Sequence, residues 1–158
     1  MGLAGMILKR RIIMENIMFL LLWYAAAYII VTAIGILHTI FNIAVLHMKS
    51  MKESEGMGEA YEKTKPWHPL YNIAVFPVFA YIYFSGLSSL SWETAALTSF
   101  IWGTVTVVFD VFGWVIIKHP WSLTFRQFYI EYQPWITFIY ITIYASPFLA
   151  YEVMKFAL

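Results

Sequence analysis

Residues Asn16–Met48, NIMFLLLWYAAAYIIVTAIGILHTIFNIAVLHM, run 33 positions without an Asp, Glu, Lys or Arg. As a helix this stretch would reach about 50 Å, whereas the hydrocarbon core of a bilayer is about 30 Å thick. The spacing therefore predicts a membrane helix that tilts, bends near Gly35 or projects into water. Three more stretches are nearly as free of charge: Pro66–Trp92, Thr94–Ile117 with Asp110 as its one exception, and Tyr132–Tyr151. Each holds about the 20 apolar residues that one crossing needs.

Composition leads the same way. Hydrophobic residues make up 61% of the 158 and charged residues 12%, about half the charged share of an ordinary soluble domain. That leaves too little polar material to coat a water-soluble fold. The net charge is +1, so no strong field draws nucleic acid, and the expected partner is the lipid bilayer. Cysteine is absent, which removes disulfides, thiolate metal sites, Cys nucleophiles and CxxC redox chemistry.

The reading is an all-α, polytopic integral membrane protein: a single membrane domain, 1–158, built as a four-transmembrane-helix bundle. Its spans are expected at about 17–48, 69–88, 93–118 and 133–154, so both termini share one side. A polar loop occupies 49–67, with Glu59 to Lys63 a helical candidate within it. A short interfacial helix is expected within 122–132, before the last span. There Thr124 and Gln127 fit a capping box, and Phe125, Phe128, Tyr129 and Tyr132 follow a helical period. Six Lys or Arg lie on the long-loop side and four on the other. The tight Lys9-Arg10-Arg11 cluster opposes that count, so charge does not orient the chain. MGLAGMILKRRIIM begins like a secretory leader, but the apolar run continues past Ala25-Ala26-Ala27. A retained anchor is therefore expected.

Alternating the crossings gathers Pro66-Trp67, Pro120-Trp121, Pro134-Trp135, His47, His68 and His119 on one face. Tryptophan at headgroup depth is ordinary belt chemistry; the alternative is that Trp67, Trp121, Trp135 and the three histidines rim a binding site. Spacing such as HxxxH is missing, so no metal is expected, and no cofactor is assigned. Below that rim lies Asp110, the one Asp in the chain. A charge at such depth is costly and is a functional candidate by default. Asp110 precedes His119 by nine residues, as His38 precedes His47, so equal depth is expected for His38 and Asp110. A His–Asp pair there would share a proton or act as acid and base. Asn42 lies one turn from His38, and Tyr140 and Tyr144 descend along the last helix toward the same level.

The site expected from sequence is thus His38 and Asp110 as the chemical pair, with Asn42, Tyr140 and Tyr144 around a bound molecule. The first functional reading is a protein that binds or transports a small molecule, or relays protons, with a homo-oligomer helping to enclose the path. The second is a membrane-embedded enzyme acting on a lipid-like substrate through the His–Asp pair. The third is an accessory subunit, or a haem-binding one held by two histidines. The small stripe Ala95, Ser99, Gly103 is expected to admit a neighbouring helix closely.

Overall fold

The fold is taken from a computed structural model, which describes residues 3–54 and 57–157 and the side chains of 16–54 and 57–156. The side chains of the basic N-terminal cluster lie outside the described residues. Every regular element described is helical: α1 Leu3–Ala44, α2 Glu59–Thr64, α3 His68–Ser85, α4 Trp92–Asp110 and α5 Trp135–Ala157. A 3-10 turn, Lys65–Trp67, links α2 to α3. Wider π-type turns follow α4 at Val111–Ile116 and precede α5 at Gln127–Glu131.

Three helical segments are long and apolar enough to cross a membrane: Asn16–Ala44, Trp92–Ile116 and Trp135–Phe156. Helix α3 has 18 residues, with His68, Asn72 and Pro77 among them, and is not one of the three. α1 is unbroken through Gly35, where a bend was one expectation. The helix also begins at Leu3, well before the charge-free run. Lys, Arg, Glu, Ile and Met are all competent helix formers, so charges mark a change of solvent and not the end of a helix. α1 stops at Ala44, and His47 then turns the chain with a φ of 53°.

α3 lies between α1 and α5, and α5 packs on α4. The α4–α5 seam uses the small stripe. Ala95, Ser99 and Gly103 are buried, Gly103 lies under the ring of Tyr144, and Ser99 Oγ donates to the Tyr144 carbonyl at 2.5 Å. α1 and α4 stand further apart, with large side chains between them. Tyr24, Phe76 and Trp102 are almost fully buried, and their rings sit 5.8–6.1 Å apart, joining α1, α3 and α4. Such pairs add roughly 0.5–1.5 kcal/mol each beyond simple burial.

The polar segment folds over one end of the helices. Gly58, at φ 77°, starts α2; a side chain there would meet the backbone of Met51. α2 is held onto α1 by Asn42 Nδ2, which donates to the Ala60 carbonyl and to Thr64 Oγ1, both at 3.1 Å. Lys65 is only 2% exposed. Its ammonium donates to Glu62 Oε1 at 2.6 Å and to the Glu131 carbonyl at 3.2 Å, and lies over the Tyr132 ring. One buried cation thus ties α2 to the segment before α5. In that segment the capping box is present: Thr124 N donates to Gln127 Oε1 at 2.8 Å and Gln127 N to Thr124 Oγ1 at 3.2 Å. Phe128 and Tyr132 turn into the core while Phe125 and Ile130 stay exposed.

Candidate functional site

The helices and their cap line a partly open cavity of about 250 Å³. Its wall on α1 runs from Tyr28 to Ile43, about 22 Å along the helix axis. Ser50, Met51 and Lys52 of the polar loop line it together with Pro120 and Trp121, of which Lys52, Pro120 and Trp121 are exposed. Its walls are mostly apolar, with Val31, Ile36, Ile43, Ile139 and Ile143 among them. Its polar groups include Asp110 and Thr106 on α4, His68 and Asn72 on α3, Thr32 and Thr39 on α1, Ser50 and Lys52 of the loop, and the phenols of Tyr28, Tyr61 and Tyr132.

Asp110 is 6% exposed and is reached from α1. Tyr28 donates its hydroxyl proton to Asp110 Oδ1 at 2.8 Å, and Trp114 Nε1 donates to the Tyr28 oxygen at 3.1 Å. One turn lower, the Thr106 hydroxyl donates to the Trp102 carbonyl at 2.8 Å and is bonded to Tyr24 at 3.0 Å. One turn lower again, Trp102 Nε1 donates to the Leu20 carbonyl at 3.2 Å. Leu20, Tyr24 and Tyr28 therefore step along α1 in time with Trp102, Thr106 and Asp110 on α4, at a constant offset of 82 residues. Equal steps in the same direction mean that α1 and α4 run parallel.

That register corrects the expected His38–Asp110 pair. On the same offset His38 falls opposite residue 120, beyond the end of α4. The nine-residue count failed because the chain does not leave α4 as a straight helix. After Ile116 it folds back: His119 Nε2 donates to the Gly113 carbonyl at 2.8 Å, and its Nδ1 accepts from Trp121 N at 3.2 Å. His119 thus organises a turn, close to Trp114, and does not mark a rim nine residues above Asp110. His38 instead bonds to the Tyr71 hydroxyl and meets the edge of Trp67.

The other expected residues divide. His68 lines the cavity, with Nδ1 bonded to the Tyr132 hydroxyl and Nε2 set against Gly35, which has no side chain to displace it. Trp121 also lines the cavity. Tyr140 is bonded to Tyr129 at 3.3 Å and neighbours Asp110. Tyr144 belongs to the α4–α5 seam, and Asn42 is consumed in fastening α2, so neither lines the cavity. His47 is exposed in the loop after α1. Trp67 is exposed too, while Trp135 is half-buried beside Phe138. Among the described residues no group of three His, Asp or Glu is placed to hold a metal ion.

Sequence reasoning missed Tyr28, Thr106, Asn72, Tyr61, Tyr132 and Lys65 as site residues. A signal for the first two existed in the repeated four-residue steps on both helices. Nothing local marks Lys65, because its burial depends on Glu131, 66 positions away. At the cap, burial pushes the Tyr61 phenol up to about 12 and holds Tyr132 well above the ordinary phenol range. Both remain neutral hydrogen-bonding groups at physiological pH.

Comparison with protein-family models, with curated proteins and with solved structures returns no match for this chain. The site's chemistry has to be read from its own geometry.

Proposed function

We propose that the chain is a four-span membrane protein that holds a small amphipathic molecule in this cavity, as a binding protein or carrier. The observation that carries the reading is a partly open cavity of about 250 Å³ with mostly apolar walls and Asp110 among its lining residues. Ligand sites have this character: apolar walls with a few placed polar groups. The parallel course of α1 and α4 supports the fourth span, since the chain has to return between them. α3, about 27 Å long, is the helix available for that return. In this reading the long outer rows of exposed Leu, Ile, Val and Phe face lipid.

The test is to purify the protein in mild detergent and extract what it carries for mass spectrometry. Ile139→Trp fills the cavity, whereas Leu97→Trp alters an exposed face and serves as control. A small molecule released by the wild type and by L97W, but not by I139W, supports the reading. Equal yields from all three, or nothing beyond bulk lipid, would sink it. A second reading, an enzyme working on a lipid-like substrate, is favoured by His68 in the same wall; chemical turnover of an added lipid extract, lost in His68→Ala, would bring it forward.

A further inference from the structure

From the composition of the cavity wall we infer that its ligand is a small organic amine, bound with its ammonium group against Asp110 and its hydrocarbon body among the isoleucines. This inference rests on the binding reading above. It names the ligand's chemistry.

Among the described residues Asp110 is the only acidic side chain in the cavity wall. Among the described residues no Lys, Arg or His forms an ion pair with it. Its 2.8 Å hydrogen bond comes from a phenol, Tyr28, whose own oxygen is fixed by Trp114, and a second phenol, Tyr140, stands beside the carboxyl. This chain of donors points at the carboxyl and orients it as an acceptor, while supplying no charge to balance it. Leaving a buried carboxylate without a cation is costly, and a cation arriving with the ligand relieves that cost.

The surroundings suit such a cation further. Tyr28 and Trp114, linked to Asp110 by hydrogen bonds, both contribute to the wall, and aromatic faces attract ammonium groups, the more so away from water. Lys52 is the one Lys or Arg in the lining and stays exposed in the polar loop, so it does not neutralise Asp110. An anion in the cavity would be repelled by Asp110. An inorganic divalent ion lacks its ligand set, because no three suitable donors converge. The volume of about 250 Å³ corresponds to roughly eight water molecules. That admits a short alkyl or aryl amine.

A matched series tests this. Hexylamine, hexan-1-ol and hexanoate differ at one end only. Their binding to the full chain in lipid nanodiscs is measured by tryptophan fluorescence, with empty nanodiscs as the partition control. Trp114 and Trp121 in the cavity wall report occupancy. A charge-assisted hydrogen bond in place of a neutral one predicts hexylamine about tenfold tighter than hexan-1-ol, with hexanoate weakest. In Asp110→Asn the amine's advantage should disappear while hexan-1-ol binding persists, which also shows that the cavity is intact. Equal binding of amine and alcohol to the wild type overturns the amine inference and leaves the cavity reading standing. Binding of neither overturns both. Should D110N fail to fold, the wild-type comparison decides alone.

Discussion

Replacing Gly103 by Ala tests how closely α4 and α5 are fitted. A methyl group at Gly103 would overlap the ring of Tyr144, so either the ring or the helices must move. Overpacking of this kind costs roughly 1–3 kcal/mol. Against it stands the gain from removing glycine from a helix interior, about 1 kcal/mol. The expected balance is a loss of about 1 kcal/mol in the wild type. With Tyr144→Ala already present the ring is gone, and Gly103→Ala should become stabilising by about as much, a coupling of about 2 kcal/mol. Gly113 is the internal control. Nothing lies within 4 Å of a side chain added there, so Gly113→Ala should be neutral or stabilising. Denaturant titration of the full chain in mixed micelles, followed by tryptophan emission, gives all the values. If Gly103→Ala stabilises the wild type as much as it does the Tyr144→Ala protein, the close seam is refuted.

The cap and the polar ladder make further predictions. Lys65→Ala should lower stability by about 2 kcal/mol or more through lost packing, whereas Lys65→Met, which keeps the volume, should cost under about 1.5 kcal/mol; thermal unfolding separates the two. Tyr28→Phe removes the donor to Asp110 and the acceptor for Trp114, and should cost about 1–3 kcal/mol. Tyr140→Phe should cost less, because its bond to Tyr129 is longer at 3.3 Å. The Tyr61 phenol is raised from 10.0 to about 12 by burial. Its contribution is therefore complete below pH 10 and lost as pH rises toward 12. Stability measured across that window should fall with pH, and Tyr61→Phe should flatten the fall.

The helices were legible because solvent class is written into composition. Charge-free runs located α1, α4 and α5, and a membrane leaves helices as the ordinary way to satisfy the backbone in such runs. Their ends were less legible. Charged Lys9, Arg10 and Arg11 stop a membrane span but not a helix, so α1 begins earlier than the pattern implies. Helix α4 gives way to a π-type turn at Val111, where VFGWVI carries no proline to announce a break. The cap was half legible: Glu59–Lys63 read as helix, and α2 spans Glu59–Thr64. Its attachment through Asn42, Thr64 and Lys65 joins residues far apart in sequence, which no local pattern records.

The site shows where counting along a chain loses its physical basis. Asp110 was identifiable alone, since one acid in an apolar helix needs a partner whatever the fold. Choosing His38 as that partner required a depth for each helix, and both depths were measured from histidines treated as rim markers. His119 is hydrogen-bonded back to Gly113, so the nine residues between Asp110 and His119 do not measure height. The surviving clue is the periodicity shared by two helices. Leu20, Tyr24 and Tyr28 recur every four residues, as do Trp102, Thr106 and Asp110, with a donor on one side facing an acceptor on the other at each step. Moving α4 by one turn would set Asp110 opposite Tyr24 or Thr32 and take Trp114 away from Tyr28. Register is thus fixed by matched polar pairs that cannot be left unpaired in an apolar interior. The same matching leaves Asp110 satisfied as an acceptor but unbalanced as a charge, and that residual imbalance is the ground for the proposed preference for a cation.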